Sequence, residues 1–160
     1  MVTLRREAGE TSFVDDLTRS IARSRALSNL RRIGNGIGGY SSEFGRFPPT
    51  LDALVEAECL DAGRLRSPLN RQRGMPDGQG RPQEFSDYVY IKYPGAIDPP
   101  GDLVLVYEQP ENYGKTHTSI LQVDGDVAYL SIRDFQQRLK KTRLWLGGHH
   151  LRQDAPSNPP

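Results

Sequence analysis

The sequence predicts an α+β fold: a long N-terminal α-helix packed on a small antiparallel β-sheet of three or four strands, with a short second helix and a C-terminal helix. Two observations predict it. Apolar residues recur at steps of three and four over the first part of the chain, which is the period of a helix. The second half carries short aromatic and β-branched runs separated by turn signals, which is typical of paired strands.

The 160 residues are enough for one domain with a core, and their composition excludes several classes of function. Lysine and arginine total 21 against 20 for aspartate and glutamate, so no overall field draws the protein to nucleic acid or an anionic membrane. Cys59 is the single cysteine, which excludes an internal disulfide and a cysteine-based zinc cluster. No run approaches the roughly 18 to 20 apolar residues of a spanning helix, so we expect no membrane segment in this chain.

The pattern divides the chain into a polar N-terminal tail over residues 1–10, a single domain over residues 11–147 and a disordered tail over residues 148–160. Loop-forming glycines and prolines separate the parts of the domain. These parts are predicted to be a helix over 12–44, a variable loop over 67–86, a sheet over 88–130 and a closing helix over 131–146.

The first helix is predicted from a stripe of apolar residues whose spacing places them on one face. The later part of the stripe should pack the helix on the sheet through six side chains: Leu27, Leu30, Ile33, Ile37, Tyr40 and Phe44. Phe13, Leu17 and Ile21 extend past that contact and are the candidates for a self-assembly interface. Apolar residues with no partner in their own domain tend to find one elsewhere.

Four glycines interrupt this stripe, and each costs about 1 kcal/mol relative to alanine in a helix interior. Either the helix weakens there or another segment packs closely against its backbone, and the continued apolar spacing favours close packing at Gly34, Gly36, Gly38 and Gly39. Gly45 then favours the end of the helix, and Pro48 with Pro49 forbids its continuation. Thr50 is a predicted N-cap for the short second helix.

Four runs have the composition of strands, and they lie at residues 88–93, 103–107, 119–123 and 127–130. The last two should pair as a hairpin around Asp124 and Gly125. This dipeptide suits a two-residue type I′ turn, in which both central residues have positive φ. We therefore predict an antiparallel meander.

The closing helix is predicted to begin after Ser131, whose hydroxyl and the acidic Asp134 resemble a capping box, and to end at the glycine pair 147–148. Its basic residues lie beside Trp145 and offer a partner surface for a protein or nucleic acid: Arg138, Lys140, Lys141 and Arg143. The same pattern is typical of the solvated face of an ordinary amphipathic helix, which we favour. Nucleic acid is therefore the weaker prediction of a partner.

Several strings resemble type IV pilin-like proteins, including the major pseudopilins of type II secretion. The segment from Leu27 to Pro49 reads LSNLRRIGNGIGGYSSEFGRFPP and is similar to the part of the family's helix that follows the membrane. An Asn-Leu pair, a small residue and an aromatic lead there into a Gly-x-[Tyr/Phe]-Pro turn; these positions are Asn29, Leu30, Gly36, Tyr40 and Gly45 to Pro48. Further strings resemble the family's short helix, first strand and Asp-Gly hairpin, and they read TLDALVEAECLDAGRLRSPLN, YVY and ILQVDGDVAYL.

The resemblance covers roughly Leu27 to Leu139 and implies a non-enzymatic structural subunit. Such a subunit acts by protein–protein packing, with itself or with other pilin-like subunits, in a secretion or pilus-type assembly, and it has no small-molecule substrate. The family's Glu-bearing N-terminal membrane segment and its processing motif are not seen in the sequence. We therefore expect an extracytoplasmic location, in the periplasm or at the cell surface, if an anchor has been removed, and a cytoplasmic one otherwise.

Residue types able to carry chemistry do not form a recognisable catalytic pattern. His117, Asp124 and Asp126 could form a small metal or acid/base cluster, yet the hairpin turn already explains the aspartates. Some pseudopilins bind calcium near this hairpin, so the resemblance makes Asp124 and Asp126 weak calcium candidates, and no other cofactor is expected. No Gly-x-Ser-x-Gly or His-Glu-x-x-His signature is found, so we predict no enzyme activity.

Overall fold

The computed structural model describes the backbone of residues 2–68, 87–94 and 98–153, and the side chains of residues 13–68, 87–94 and 98–149. The predicted α+β class is confirmed. The helices are α1 (Val2–Phe44), α2 (Leu51–Glu56) and α3 (Ile132–Gln153), and the strands are β1 (Tyr88–Tyr90), β2 (Val104–Glu108), β3 (His117–Gln122) and β4 (Val127–Ser131). Short 3-10 helices lie in two connections, at Ala62–Leu65 and Pro110–Tyr113.

The first helix is longer than the sequence predicted. α1 begins at Val2 rather than near residue 12, so residues 2–10 are helical and the predicted polar tail is wrong. That segment contains leucine, arginine, glutamate and alanine, which favour helix, and polarity alone does not stop one. α1 ends at Phe44, where Gly45 has a φ of 68° and donates its N–H to the Ser41 carbonyl at 2.9 Å.

The C-terminal helix also passes its predicted end. α3 continues through Gly147 and Gly148 to Gln153, so the expected stop at residue 146 and the expected tail are wrong over residues 148–153. A glycine ends a helix where the chain turns into the left-handed region, and neither of these two has a positive φ. Residues 154–160 of the predicted tail and residues 69–86 of the predicted variable loop lie outside the described residues.

The sheet is an antiparallel meander with the strand order β1-β2-β3-β4. Its last hairpin closes where the Gly125 N–H donates to the Gln122 carbonyl at 3.0 Å. Only Gly125 has a positive φ, at 92°, so the expected type I′ turn is wrong. Asp124 instead accepts the N–H of Asp126 on Oδ1 at 3.0 Å, and this local bond supports a turn with one left-handed residue.

A helix covers each face of the sheet, because neighbouring residues of β3 point to opposite sides. Leu121 is buried with Leu30 and Ile33 of α1. Ile120, one residue earlier, is buried with Phe135 of α3. The position of α1 therefore depends on the first of these two clusters.

The six side chains predicted to pack α1 on the sheet do not all do so. Leu30, Ile33, Ile37 and Tyr40 are buried. Leu27 is only half-buried, because Ala26 occupies the buried position beside it. Phe44 is 48% exposed and is not a core residue, since the chain turns away immediately after it; its ring contacts that of Tyr40, with centroids 4.4 Å apart.

Candidate assembly surface

The N-terminal half of α1 carries an apolar stripe formed by Phe13, Val14, Leu17 and Ile21. Phe13 is 69% exposed, Leu17 is 50% exposed and Ile21 is 47% exposed. Successive members at 13, 17 and 21 are one helical turn apart, so they form a continuous ridge. Contiguous exposed apolar surface of this kind marks an interaction site more often than scattered single residues do.

This apolar stripe lies on the side of α1 that faces away from the sheet, so the expectation of one apolar face is wrong. Twenty residues separate Leu17 from Ile37. At about 100° per residue their side chains point about 160° apart around the helix axis. The change occurs between Ile21 and Leu27, because a step of six residues turns the face by about 120°.

A polar groove lies on the other side of the same half of α1. Its volume is about 600 Å³. One wall is formed by α1, including Arg19 and Arg23, and the other by the segment 112–116 and Tyr129 of β4. The sequence carries no local signal for this groove, since its two walls come from distant parts of the chain.

Arg23 connects the two walls of the groove. Its guanidinium carbon lies 4.8 Å from the centre of the Tyr129 ring, which is a cation–π contact. The Tyr129 ring is stacked on His117, with centroids 5.0 Å apart and planes at 10°, and lies 5.4 Å from the ring of Tyr113. His117 is thus part of an aromatic cluster at the start of β3, whereas Asp124 follows the end of that strand. The cluster of His117 with the two aspartates is therefore not formed.

A buried carboxylate, Glu108 at the end of β2, lies near the groove. Its Oε1 accepts hydrogen bonds from the Ser67 hydroxyl and, at 3.1 Å, from Asn112 Nδ2; its Oε2 accepts from the Tyr113 hydroxyl at 2.7 Å. Burial raises the pKa of Glu108; these three hydrogen bonds act in the opposite direction, and the charge of Asp87 adds to the rise. Because Glu108 is fully buried, the arrangement ties the 3-10 segment and Ser67 to the sheet.

Asn29, which the sequence singled out only through the family resemblance, connects α1 to the sheet edge. Its Nδ2 donates to the Arg66 carbonyl at 3.0 Å and to the Tyr88 hydroxyl at 3.3 Å. Its Oδ1 accepts from Arg64 at 3.3 Å. Burial is the main cause that raises the pKa of Tyr88, so this hydroxyl stays a neutral partner.

The basic residues of α3 are divided between structure and surface. Arg138 donates to the Asp102 carbonyl at 3.2 Å, and Lys141 forms a hydrogen-bonded ion pair with the Asp102 carboxylate. The hydrogen bond and charge of Lys141 lower the pKa of Asp102. Lys140 and Arg143 are exposed. Two of the four residues are therefore already engaged within the domain.

The calcium candidates Asp124 and Asp126 are exposed at the tip of the β3–β4 hairpin. Asp124 already accepts the backbone bond that shapes the turn. Among the residues with described side chains, no three histidine, cysteine, aspartate or glutamate residues come together as a metal-ligand set. The hairpin tip is therefore described best as an exposed acidic projection.

Comparison of the chain with protein-family models, with curated proteins and with solved structures finds no match. Within the described residues, no helix combines the length and the apolar character needed to cross a membrane. The most distinctive feature of the described surface is the pairing, on one half of α1, of an apolar stripe on the outer side and a polar groove on the inner side.

Proposed function

We propose that this domain is a non-enzymatic structural subunit that packs against copies of itself or other pilin-like subunits through the N-terminal half of α1. The observation that supports the proposal is the exposure of Phe13, Leu17 and Ile21 on the side of α1 opposite the sheet. The domain's own sheet cannot cover a stripe on that side. Another subunit could, and burial of the stripe would then drive assembly.

The free energy gained by burying apolar side chains is large enough to support packing of this kind. Full burial of one large aliphatic or aromatic side chain contributes about 1.5–3 kcal/mol. Burial of three such side chains would outweigh a single exposed ion pair, which contributes about 0–1 kcal/mol. A subunit in a filament touches several neighbours at once, so contacts that are weak singly are sufficient together.

The resemblance of residues 27–139 to pilin-like proteins supports the type of assembly, and the order of a long helix followed by an antiparallel meander is consistent with it. On this proposal the subunit serves a secretion or pilus-type system outside the cytoplasm. The genomic codons upstream of Val2 test that location. An apolar segment with a processing site there would agree with it, and a stop codon in frame immediately upstream would contradict it.

The test of the assembly surface is to change Leu17 and Ile21 to lysine and to measure molar mass by light scattering. We expect self-association to weaken by at least about tenfold, because two buried apolar side chains are lost. Leu144→Lys is the matched control, since Leu144 is an exposed leucine on α3, away from the stripe. It should assemble like the parent. A monomeric parent, or an assembled parent with an L17K/I21K variant of equal mass, would overturn self-assembly through this stripe.

A further inference from the structure

The polar groove beneath α1 has the features of a carboxylate-binding site. Arg19 and Arg23 lie one helical turn apart on its wall, and Asp16 is the one acidic residue among the described residues that line it, so the lining has a net positive charge. In the described part of the chain, the only ion pair within 4.0 Å joins Lys141 to Asp102, so neither arginine has a carboxylate partner there. Each guanidinium carries five N–H donors in a planar fork, a geometry that matches a carboxylate.

Arg23 is also held ready for a ligand. Its guanidinium lies over Tyr129, and Tyr129 is fixed by ring contacts with His117 and Tyr113. A cation–π contact restricts the guanidinium without using its N–H donors in hydrogen bonds, so a bound carboxylate would find the side chain already positioned. Less conformational entropy is then lost on binding.

A complementary acidic surface lies at the other end of the same hairpin. Asp124 and Asp126 are exposed at its tip, and only the Asp124 side chain accepts a hydrogen bond within the described residues. The groove reaches Thr116, just before β3, whereas the tip follows the end of that strand. Tyr129, the groove residue nearest to the tip along the chain, is three residues or about 10 Å from Asp126, and within the described residues neither aspartate of the tip forms an ion pair with Arg19 or Arg23 of the same molecule.

We propose that the hairpin tip of one copy enters the arginine groove of the next, where the Asp124 and Asp126 carboxylates accept hydrogen bonds from Arg19 and Arg23. This inference rests on the proposed function and names a polar contact that orders the copies. Because the two surfaces differ, the contact is head-to-tail and repeats along a filament or closes into a ring. The apolar stripe on the outer side of α1 remains available for a second contact.

The first test removes the charges of each surface separately. The groove variant is R19Q/R23Q and the tip variant is D124N/D126N; asparagine at 124 keeps the oxygen that accepts the Asp126 N–H. Matched controls remove equal charge from exposed positions elsewhere, as R31Q/R32Q and E43Q/E56Q. By sedimentation at low ionic strength, each test variant should lower the self-association constant about tenfold, which two exposed ion pairs can supply. The controls should sediment like the parent.

The second test mixes the groove variant with the tip variant. The mixture contains one intact tip and one intact groove per pair of chains, so a one-to-one dimer should form that grows no further through this contact. The recovered dimer also reports that both variants are folded. If R19Q/R23Q does not fold, the single change Arg19→Gln replaces it, because it leaves the ring contact of Arg23 in place.

The outcomes separate this inference from the proposed function. If L17K/I21K weakens assembly while the groove and tip variants assemble like the parent, the head-to-tail contact is wrong and the stripe proposal stands. Loss of assembly in the groove variant alone would also overturn it, because the groove would then take another ligand. Self-association that is equally strong at 0.05 and about 0.5 M salt would overturn it too, since exposed ion pairs are screened.

Discussion

The Tyr113 hydroxyl donates to Glu108 Oε2 at 2.7 Å and lies 2.5 Å from the Ser119 hydroxyl. One phenol therefore joins the 3-10 segment to β2 and β3. Three described side chains donate to the buried carboxylate, and one of them, Tyr113, also lies within hydrogen-bonding distance of Ser119 of β3. The stability of this corner should consequently depend on Tyr113.

Tyr113→Phe should reduce the free energy of unfolding by about 1–3 kcal/mol, because a buried carboxylate loses a hydrogen bond. Tyr129→Phe makes the same chemical change at a hydroxyl that forms no hydrogen bond with the described residues, and it should change stability by less than about 0.5 kcal/mol. Chemical denaturation of both variants measures the difference. Equal losses in the two variants would show that the bond to Glu108 contributes nothing specific.

Glu108→Gln should change how stability depends on pH. The pKa of Glu108 is raised in the folded state, so its contribution to stability is fully present below the unfolded-state pKa and is lost as pH rises through the folded-state pKa. The neutral amide does not titrate. As pH rises above the ordinary glutamate pKa of about 4.3, the parent should therefore lose unfolding free energy relative to E108Q.

Unfolding curves of both proteins at several pH values check this, with the comparison made at constant ionic strength. Asp87, whose charge also raises the pKa of Glu108, is present in both proteins and does not affect the difference directly. If the difference between the two proteins were constant with pH, or if the parent gained relative stability as pH rose, the raised pKa would be contradicted.

The order of the elements is predictable from the sequence because the residues that begin and end each element act on their immediate neighbours. Gly45 takes the left-handed conformation that ends α1, and the Thr50 hydroxyl accepts the Ala53 N–H at 3.2 Å to begin α2. Each of these signals acts within a few residues, so the adjacent sequence is enough to predict where the helix ends or begins. Gly147 is the exception, since a glycine permits a helix to end but does not require it.

The features that the sequence did not predict depend on rotation and on distant contacts. The stripe containing Leu17 lies on the opposite side of α1 from the predicted one, because the six-residue step after Ile21 rotates the apolar face by about 120°. The contact of Arg23 with Tyr129 and the bond of Ser67 to Glu108 join distant segments. A local sequence pattern cannot predict contacts between segments that are distant in the chain.

Substitution by alanine should change the free energy of unfolding in opposite directions at two glycines of α1, Gly36 and Gly38. A Cβ at Gly36 would lie 3.0 Å from the Cys59 carbonyl oxygen, which is backbone and cannot move aside easily. A Cβ at Gly38 would meet nothing within 4 Å. Gly38→Ala should therefore stabilise the protein by about 0.5–1 kcal/mol through helix propensity, whereas Gly36→Ala should destabilise it by about 1 kcal/mol through overpacking.

Thermal or chemical unfolding of the two variants, measured beside the parent, gives the signs directly. The close-packing interpretation of the glycines applies to Gly34 and Gly36, whose added Cβ atoms would approach Leu121 and Cys59, but not to Gly38 or Gly39. Stabilisation by both Gly36→Ala and Gly38→Ala would mean that the Cys59 backbone yields and that close packing does not explain Gly36.

Thr142 should be essential for joining α3 to the sheet. At the register shift between Val104 and Val106, the Val104 N–H donates to the Thr142 hydroxyl at 3.1 Å, and that hydroxyl donates to the Arg138 carbonyl at 2.9 Å. Thr142→Val keeps the volume but leaves a buried N–H unpaired, so unfolding free energy should fall by about 1–3 kcal/mol. Thr142→Ser keeps the hydroxyl and loses one methyl group, and it should cost less, about 1 kcal/mol. A serine variant less stable than the valine variant would mean that packing of the methyl group, and not the hydrogen bond to Val104, fixes α3 at this position.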